Sequence, residues 1–255
     1  MQNSLLTTSN KLLTQNFCIL LFILLLTGCV TIYNPATEKH ETYFIDEKTE
    51  IAIGKNMTKE ILQENKIVEN INLSGYVNGI GRKVADKSDR NNLPYYFYVL
   101  DDKKINAFAV PGGYIFINKG LLDKLNEDEL AFVIGHEIGH IAARHSIKKL
   151  QVALGFNILT SIALDNPDYT STQQAMGVAF NVVSSGYSRQ DELLADSLGL
   201  KYLTKSGYSP YASINALKKL EGEEESNLGL VFLRTHPLTQ ERIKQLRKKI
   251  ESEIP

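Results

Sequence analysis

The stretch "ELAFVIGHEIGHIA", residues 129–142, constrains this chain more than any other. Asn126 can cap a helix here, and Glu129 three residues later completes a capping box. The run that follows is almost wholly apolar, so the helix belongs in a core and takes His136, Glu137 and His140 in with it. Burying a carboxylate and two imidazoles is costly unless they find a partner. Helical positions four apart differ by about 40° in rotation and about 6 Å in rise, so His136 and His140 share a face. Neutral ring nitrogens so placed can both reach one zinc ion at about 2.0–2.1 Å. Glu137 projects about 100° around from His136, beside the metal, where it can take a proton from a zinc-activated water. The pattern H-E-x-x-H thus sets two ligands and a general base on one rigid element. Gly135 and Gly139 each cost a helix about 1 kcal/mol relative to alanine, which implies that a backbone or a ligand comes close there.

A catalytic zinc site takes three protein ligands and leaves one position open. His145 is the nearest further histidine. The long pattern H-E-x-x-H-x-x-G-x-x-H would need glycine and histidine where Ala143 and Ser146 stand. On a continuous helix His145 would also point about 140° away from His140, so a structural hydrogen bond is its expected role. In "YSRQDELLADSLGL", residues 187–200, Glu192 and Asp196 lie four apart on one helical face. Glu192 is suited to bind zinc, and Asp196 to accept the free ring N–H of a ligating histidine. A solvated acidic face has the same spacing, so the residues alone leave both readings open.

Elsewhere the apolar period predicts helices over 46–63 and 73–87. "LPYYFYVLDD" reads as a strand, and "INAFAVPGGYIFINKGLL" as two strands about a Pro111-Gly112-Gly113 turn, with a second turn at Asn118-Lys119-Gly120. Asn106, Ala107, Phe108 and Ala109, or the neighbouring strand from Tyr114 to Ile117, are expected to offer an edge to which an extended peptide adds by main-chain hydrogen bonds. "VALGFNILTSIAL" and "MGVAFNVVSS" are each too short to cross a bilayer and read as a packed helical pair, with a dip into the membrane surface as the rival. A formal charge of −1 gives no electrostatic basis for binding nucleic acid. The acidic run from Glu221 to Glu225 reads as a solvated loop.

Residues 1–28 carry one charged side chain, Lys11, ahead of the apolar run "FCILLFILLL". Ten helical residues cover about 15 Å, half of a bilayer core, so the segment reads as a secretory signal. It ends in "LTGC", Leu26 to Cys29, which resembles the lipobox of bacterial lipoproteins and implies cleavage before Cys29 and lipid on its sulfur. Val30 after the cysteine implies the periplasmic face of the outer membrane in a two-membrane cell. The expected organisation is a signal peptide over 1–28, a lipidated tether over 29–45 and one catalytic domain over 46–255.

"GHEIGHIAARH", "SRQDELLAD", "NAFAVPGGYIFINKGLL" and "THPLTQERI" together are similar to a zinc metallopeptidase family. It includes the CAAX prenyl proteases, HtpX, the mitochondrial Oma proteases and the envelope proteases BepA and LoiP. The resemblance spans roughly 46–250 and is nearest to the lipoprotein LoiP subgroup. It implies an α+β, mainly helical zincin domain of the gluzincin type, with a small sheet beside the active-site helix. It implies one zinc per chain on His136, His140 and Glu192, with Glu137 as base and Asp196 behind a ligand. His236 and Arg242 would face the cleft, His236 either stabilising the oxyanion or covering the zinc in a latent state. The implied activity is cleavage of unfolded or misassembled envelope proteins, with a largely latent chaperone or scaffold as the alternative.

Overall fold

The computed structural model describes residues 30–164, 169–222, 230–237 and 240–253, so the signal segment and Cys29 lie outside the described residues. The chain opens with a hairpin, β1 (Val30–Asn34) against β2 (Lys39–Tyr43), in antiparallel register from Val30↔Tyr43 to Asn34↔Lys39. Residues 29–45 were expected to be a lipidated tether; within that span 30–43 form a strand pair, turned where the Asn34 side chain accepts from the Ala36 amide at 3.0 Å. Tyr43 and Ile45 are buried, and Lys148 holds Glu41 at 2.6 Å, so the hairpin is part of the packed body.

Two helices follow, α1 (Glu47–Glu64) capped by Asp46 and α2 (Ile71–Ala85) capped by Asn70. Their buried residues keep the expected period, Ile53, Met57 and Ile61 on α1 and Val77, Ile80 and Val84 on α2. Strands β3 (Tyr96–Leu100), β4 (Ala107–Val110) and β5 (Tyr114–Asn118) form a sheet of order β3-β5-β4. β5 runs parallel to β3 and antiparallel to β4. Paired on both sides, β5 is buried at every residue, which explains its apolar run Ile115-Phe116-Ile117. It therefore offers no edge, whereas β4 does. The Pro111-Gly112-Gly113 turn between them needs its glycines: Gly113 has φ +97°, and a Cβ there would sit 1.9 Å from the Pro94 carbonyl oxygen.

After a four-residue helix, α3 (Lys119–Leu122), comes α4 (Glu127–Ala142), with both halves of the Asn126/Glu129 capping box formed. Every residue of α4 from Glu129 onward is buried. α5 (His145–Leu164), broken at Gly155, and α6 (Tyr169–Ser184) pack as a pair. Among the described residues no single helix is long and apolar enough to cross a membrane. α7 (Arg189–Lys205) carries a second capping box, Ser188 with Asp191. The remaining helices are α8 (Ala212–Glu221), α9 (Leu230–Thr235) and α10 (Gln240–Glu253).

The contact of α4 with α7 decides where the chemistry sits. A Cβ on Gly135 would lie 3.1 Å from the Gly199 carbonyl oxygen, and one on Gly139 3.0 Å from that of Ala195. One on Gly199 would lie 2.9 Å from the His136 amide nitrogen. The glycines inside α4 therefore answer to a neighbouring backbone: they let α7 press against α4 and bring Glu192 and Asp196 opposite the histidines.

Candidate metal centre

His136, His140, Glu192 and His236, all buried, each present a donor atom within 4.8 Å of the others. His136 Nε2 and His140 Nε2 are 3.0 Å apart. Glu192 reaches both, with Oε2 at 3.5 Å from His136 Nε2 and Oε1 at 3.4 Å from His140 Nε2. Lone pairs converging at these distances repel one another, and a divalent cation among them removes that repulsion. Burial holds His140 well below the ordinary imidazole range, so it is neutral and its ring keeps a lone pair. Burial also pushes Glu192 upward, but His236, His140 and His136 outweigh it and keep the carboxyl well below its usual range. Two imidazoles and one carboxylate form the donor set of a catalytic zinc site.

Glu137 lies beside this cluster. Neither of its oxygens has a hydrogen-bond partner among the described residues, although the side chain is buried; His236 Nε2 is 3.4 Å from Oε1. Burial, the largest influence, raises its affinity for a proton. Glu137 and His236 line a cavity of about 300 Å³ together with Asn106, Phe108 and Ala109 at β4 and with Val183 on α6. Ala107, buried and paired with Ile117, is the one of the four strand residues named from the sequence that does not line the cavity. The Asn106 side-chain oxygen is buried and has no hydrogen-bond partner among the described residues.

Behind the donors, His136 Nδ1–H donates to Asp196 Oδ1 at 2.9 Å. Arg242 then grips Asp196 with two bonds, Nε to Oδ2 at 2.6 Å and Nη2 to Oδ1 at 2.7 Å, and places Nη1 2.9 Å from Glu192 Oε2. Burial raises the Asp196 carboxyl, but Arg242 and His136 more than reverse this and hold it low. Arg242 was expected to face the cleft; it is buried where α10 packs against α7, touches both Asp196 and Glu192, and is not among the residues that line the cavity.

Other contacts were not read from the sequence. The Tyr187 ring stacks on His140 with centroids 4.0 Å apart, and its hydroxyl meets Ser146 Oγ at 2.8 Å. Its place just before the Ser188 cap was the available signal. His145 does make a hydrogen bond, but to His140 itself, Nδ1 to Nδ1 at 2.8 Å.

The model of the family described as "Peptidase family M48" matches residues 72–250. Metalloprotease LoiP of Escherichia coli is 30% identical over 184 residues, 71% of this chain and 70% of the relative. The beta-barrel assembly-enhancing protease of Yersinia pestis is 26% identical over 231 residues, 86% of this chain but 47% of the relative. The mitochondrial metalloendopeptidase OMA1 of Schizosaccharomyces pombe is 29% identical over 182 residues, covering 71% and 52% of the two chains. The chain thus spans about half the length of the beta-barrel assembly-enhancing proteases it matches. With matching motifs over most of its length and a family model covering 72–250, the chain belongs to peptidase family M48.

Proposed function

We propose that the chain is a zinc-dependent endopeptidase that cuts unfolded or misassembled proteins of the cell envelope. The observation that carries this reading is the buried convergence of His136, His140 and Glu192 next to a cavity lined by the unpartnered carboxylate of Glu137. His136, His140 and Glu192 hold the metal, one ion per chain. Zinc, when bound, polarises the scissile carbonyl and makes water nucleophilic near neutral pH. Glu137 accepts a proton from the attacking water at one of its free oxygens and passes it to the amide nitrogen as the C–N bond breaks. Its raised proton affinity suits both halves of that task. Asp196 keeps the proton of His136 on Nδ1, and Arg242 holds Asp196 and Glu192 in register.

Substrate reaches the site along β4, whose outer edge is free of a strand partner among the described residues. An extended peptide added there is read chiefly through its main chain, which favours unfolded segments over folded ones. Two features support an envelope address. The apolar run ending at Cys29 suits export and lipid anchoring at the periplasmic face of an outer membrane. The Yersinia relative is named for enhancing beta-barrel assembly. The test is cleavage of unfolded casein by the purified protein: a strong chelator abolishes it and added zinc restores it. Cleavage indifferent to chelation would count against a metallopeptidase.

His236 favours a second reading, a largely latent protease that acts as a chaperone or scaffold. Its Nδ1 lies 3.0 Å from Glu192 Oε1 and 3.2 Å from His136 Nε2, where a fourth protein donor would close the centre. Catalytic zinc sites keep that position open. His236→Ala raises the casein rate if the imidazole covers the metal, and lowers it about 10²–10³-fold if it stabilises the oxyanion.

A further inference from the structure

Glu50, Arg90, Arg144 and His145 are buried, yet the reaction above uses none of them. Together they shape the turn that follows α4. Arg144 has φ +55°, in the left-handed region that a residue with a side chain rarely adopts unless its surroundings enforce it. Those surroundings are explicit. Arg144 Nη2 meets Glu50 Oε2 at 2.7 Å, and its guanidinium lies 4.5 Å from the centre of the Tyr43 ring. Arg90 holds the same Glu50 carboxylate at 2.9 and 3.2 Å and donates to the Ile141 carbonyl at 3.2 Å, in the last turn of α4. The chain therefore reverses at Arg144, and His145 returns over the helix it has just left. Its ring stands nearly perpendicular to that of His140, with the two Nδ1 atoms 2.8 Å apart.

Two ring nitrogens at that distance share one proton. Two protons would collide, and none would set lone pair against lone pair. The other nitrogen of His145, Nε2, is buried and makes no hydrogen bond among the described residues; the charge nearest to it is Asp191 Oδ1, 3.3 Å away. Asp191 is fixed in turn, because its Oδ2 takes bonds from the Ser188 hydroxyl at 2.7 Å and the Ser188 amide at 3.2 Å. A carboxylate at Nε2 draws the proton of neutral His145 to that side and leaves its Nδ1 as an acceptor. His140 then carries its own proton on Nδ1 and keeps a lone pair on Nε2, the atom that faces His136 and Glu192.

We propose that His145 is a positioning residue, itself oriented by Asp191, that locks His140 in its Nδ1–H tautomer and so sets the metal affinity of the centre. The inference rests on the metal-centre reading above. It gives each histidine donor on α4 its own partner: His136 has Asp196 directly, and His140 has a carboxylate acting through a second imidazole. The Arg144 turn is what makes the second arrangement possible.

The test is zinc affinity, measured by competition with a chelating dye, on the wild-type protein and on two variants. His145→Phe keeps the ring's bulk and removes the acceptor, and weakens zinc binding about 10–100-fold. His145→Asn puts an amide oxygen near the place of Nδ1 and recovers most of that loss, which a purely packing role would not predict. Nitrogen-15 spectra of the zinc-loaded wild type show His140 protonated at Nδ1 and bound through Nε2. Equal affinity in wild type and His145→Phe, or His140 bound through Nδ1, overturns the role of His145 alone. A wild-type protein that takes up no zinc overturns this role and the metal-centre reading together.

Discussion

The Glu137→Gln variant is expected to bind zinc as the wild type does and to cleave casein about 10²–10⁴-fold more slowly. Glutamine keeps the size of the side chain and loses the ability to accept a proton. Glu137 is not among the residues whose donor atoms converge on the metal centre, so zinc content should not change. No hydrogen bond among the described residues depends on its oxygens, so the fold should not change either. The check pairs zinc content with single-turnover cleavage. A variant that retains both zinc and wild-type turnover would remove Glu137 from the proton path.

Arg242→Met carries the second large effect, and it falls first on stability. Arg242 is buried and neutralises two buried carboxylates, Asp196 through two bonds and Glu192 through one contact. Removing one partner from such an arrangement leaves uncompensated buried charge and costs about 3–5 kcal/mol. At about 2–4 °C per kcal/mol for a chain of this size, thermal unfolding of the metal-free protein should fall by at least about 6 °C. Arg242→Lys should recover only part of this, because an ammonium lacks the planar fork that grips Asp196 with two parallel bonds. Zinc should partly restore the Met variant, since the ion supplies the missing positive charge beside Glu192. A Met variant that unfolds at the wild-type temperature would show that Asp196 and Glu192 do not need Arg242.

The α4 site was legible in the sequence because its signals are local. The Asn126/Glu129 capping box, the apolar run and the four-residue histidine spacing all sit within one helix, and each formed as expected. The two glycines of α4 were legible as a sign of close approach, but the approaching partner was not. Only the packing of α7 shows that Gly199 and Ala195 come to meet them. Glu192 and Asp196 could be named by spacing, yet their choice over a solvated acidic face needed either the family resemblance or this helix contact.

Other features lay beyond a local reading. The hairpin at 30–43 depends on the pairing of β1 with β2 across a turn, which the lack of a helical period does not reveal. His145 was set aside on the geometry of a continuous helix, and Arg144 in the left-handed region ends that helix. Arg242 reaches Asp196 and Glu192 because α10 meets α7, a long-range contact that no motif spacing encodes. The edge role of β4 and the central role of β5 follow from strand order, which the sequence left open between two candidates.

The central claim is that His136, His140 and Glu192 hold one zinc ion. Anomalous diffraction at the zinc edge, from crystals of the zinc-loaded protein, tests it most directly. A single peak is expected, bonded to His136 Nε2, His140 Nε2 and a Glu192 oxygen, at about 2.0–2.2 Å from each. No peak there, or a peak that leaves Glu192 unbound, would contradict it.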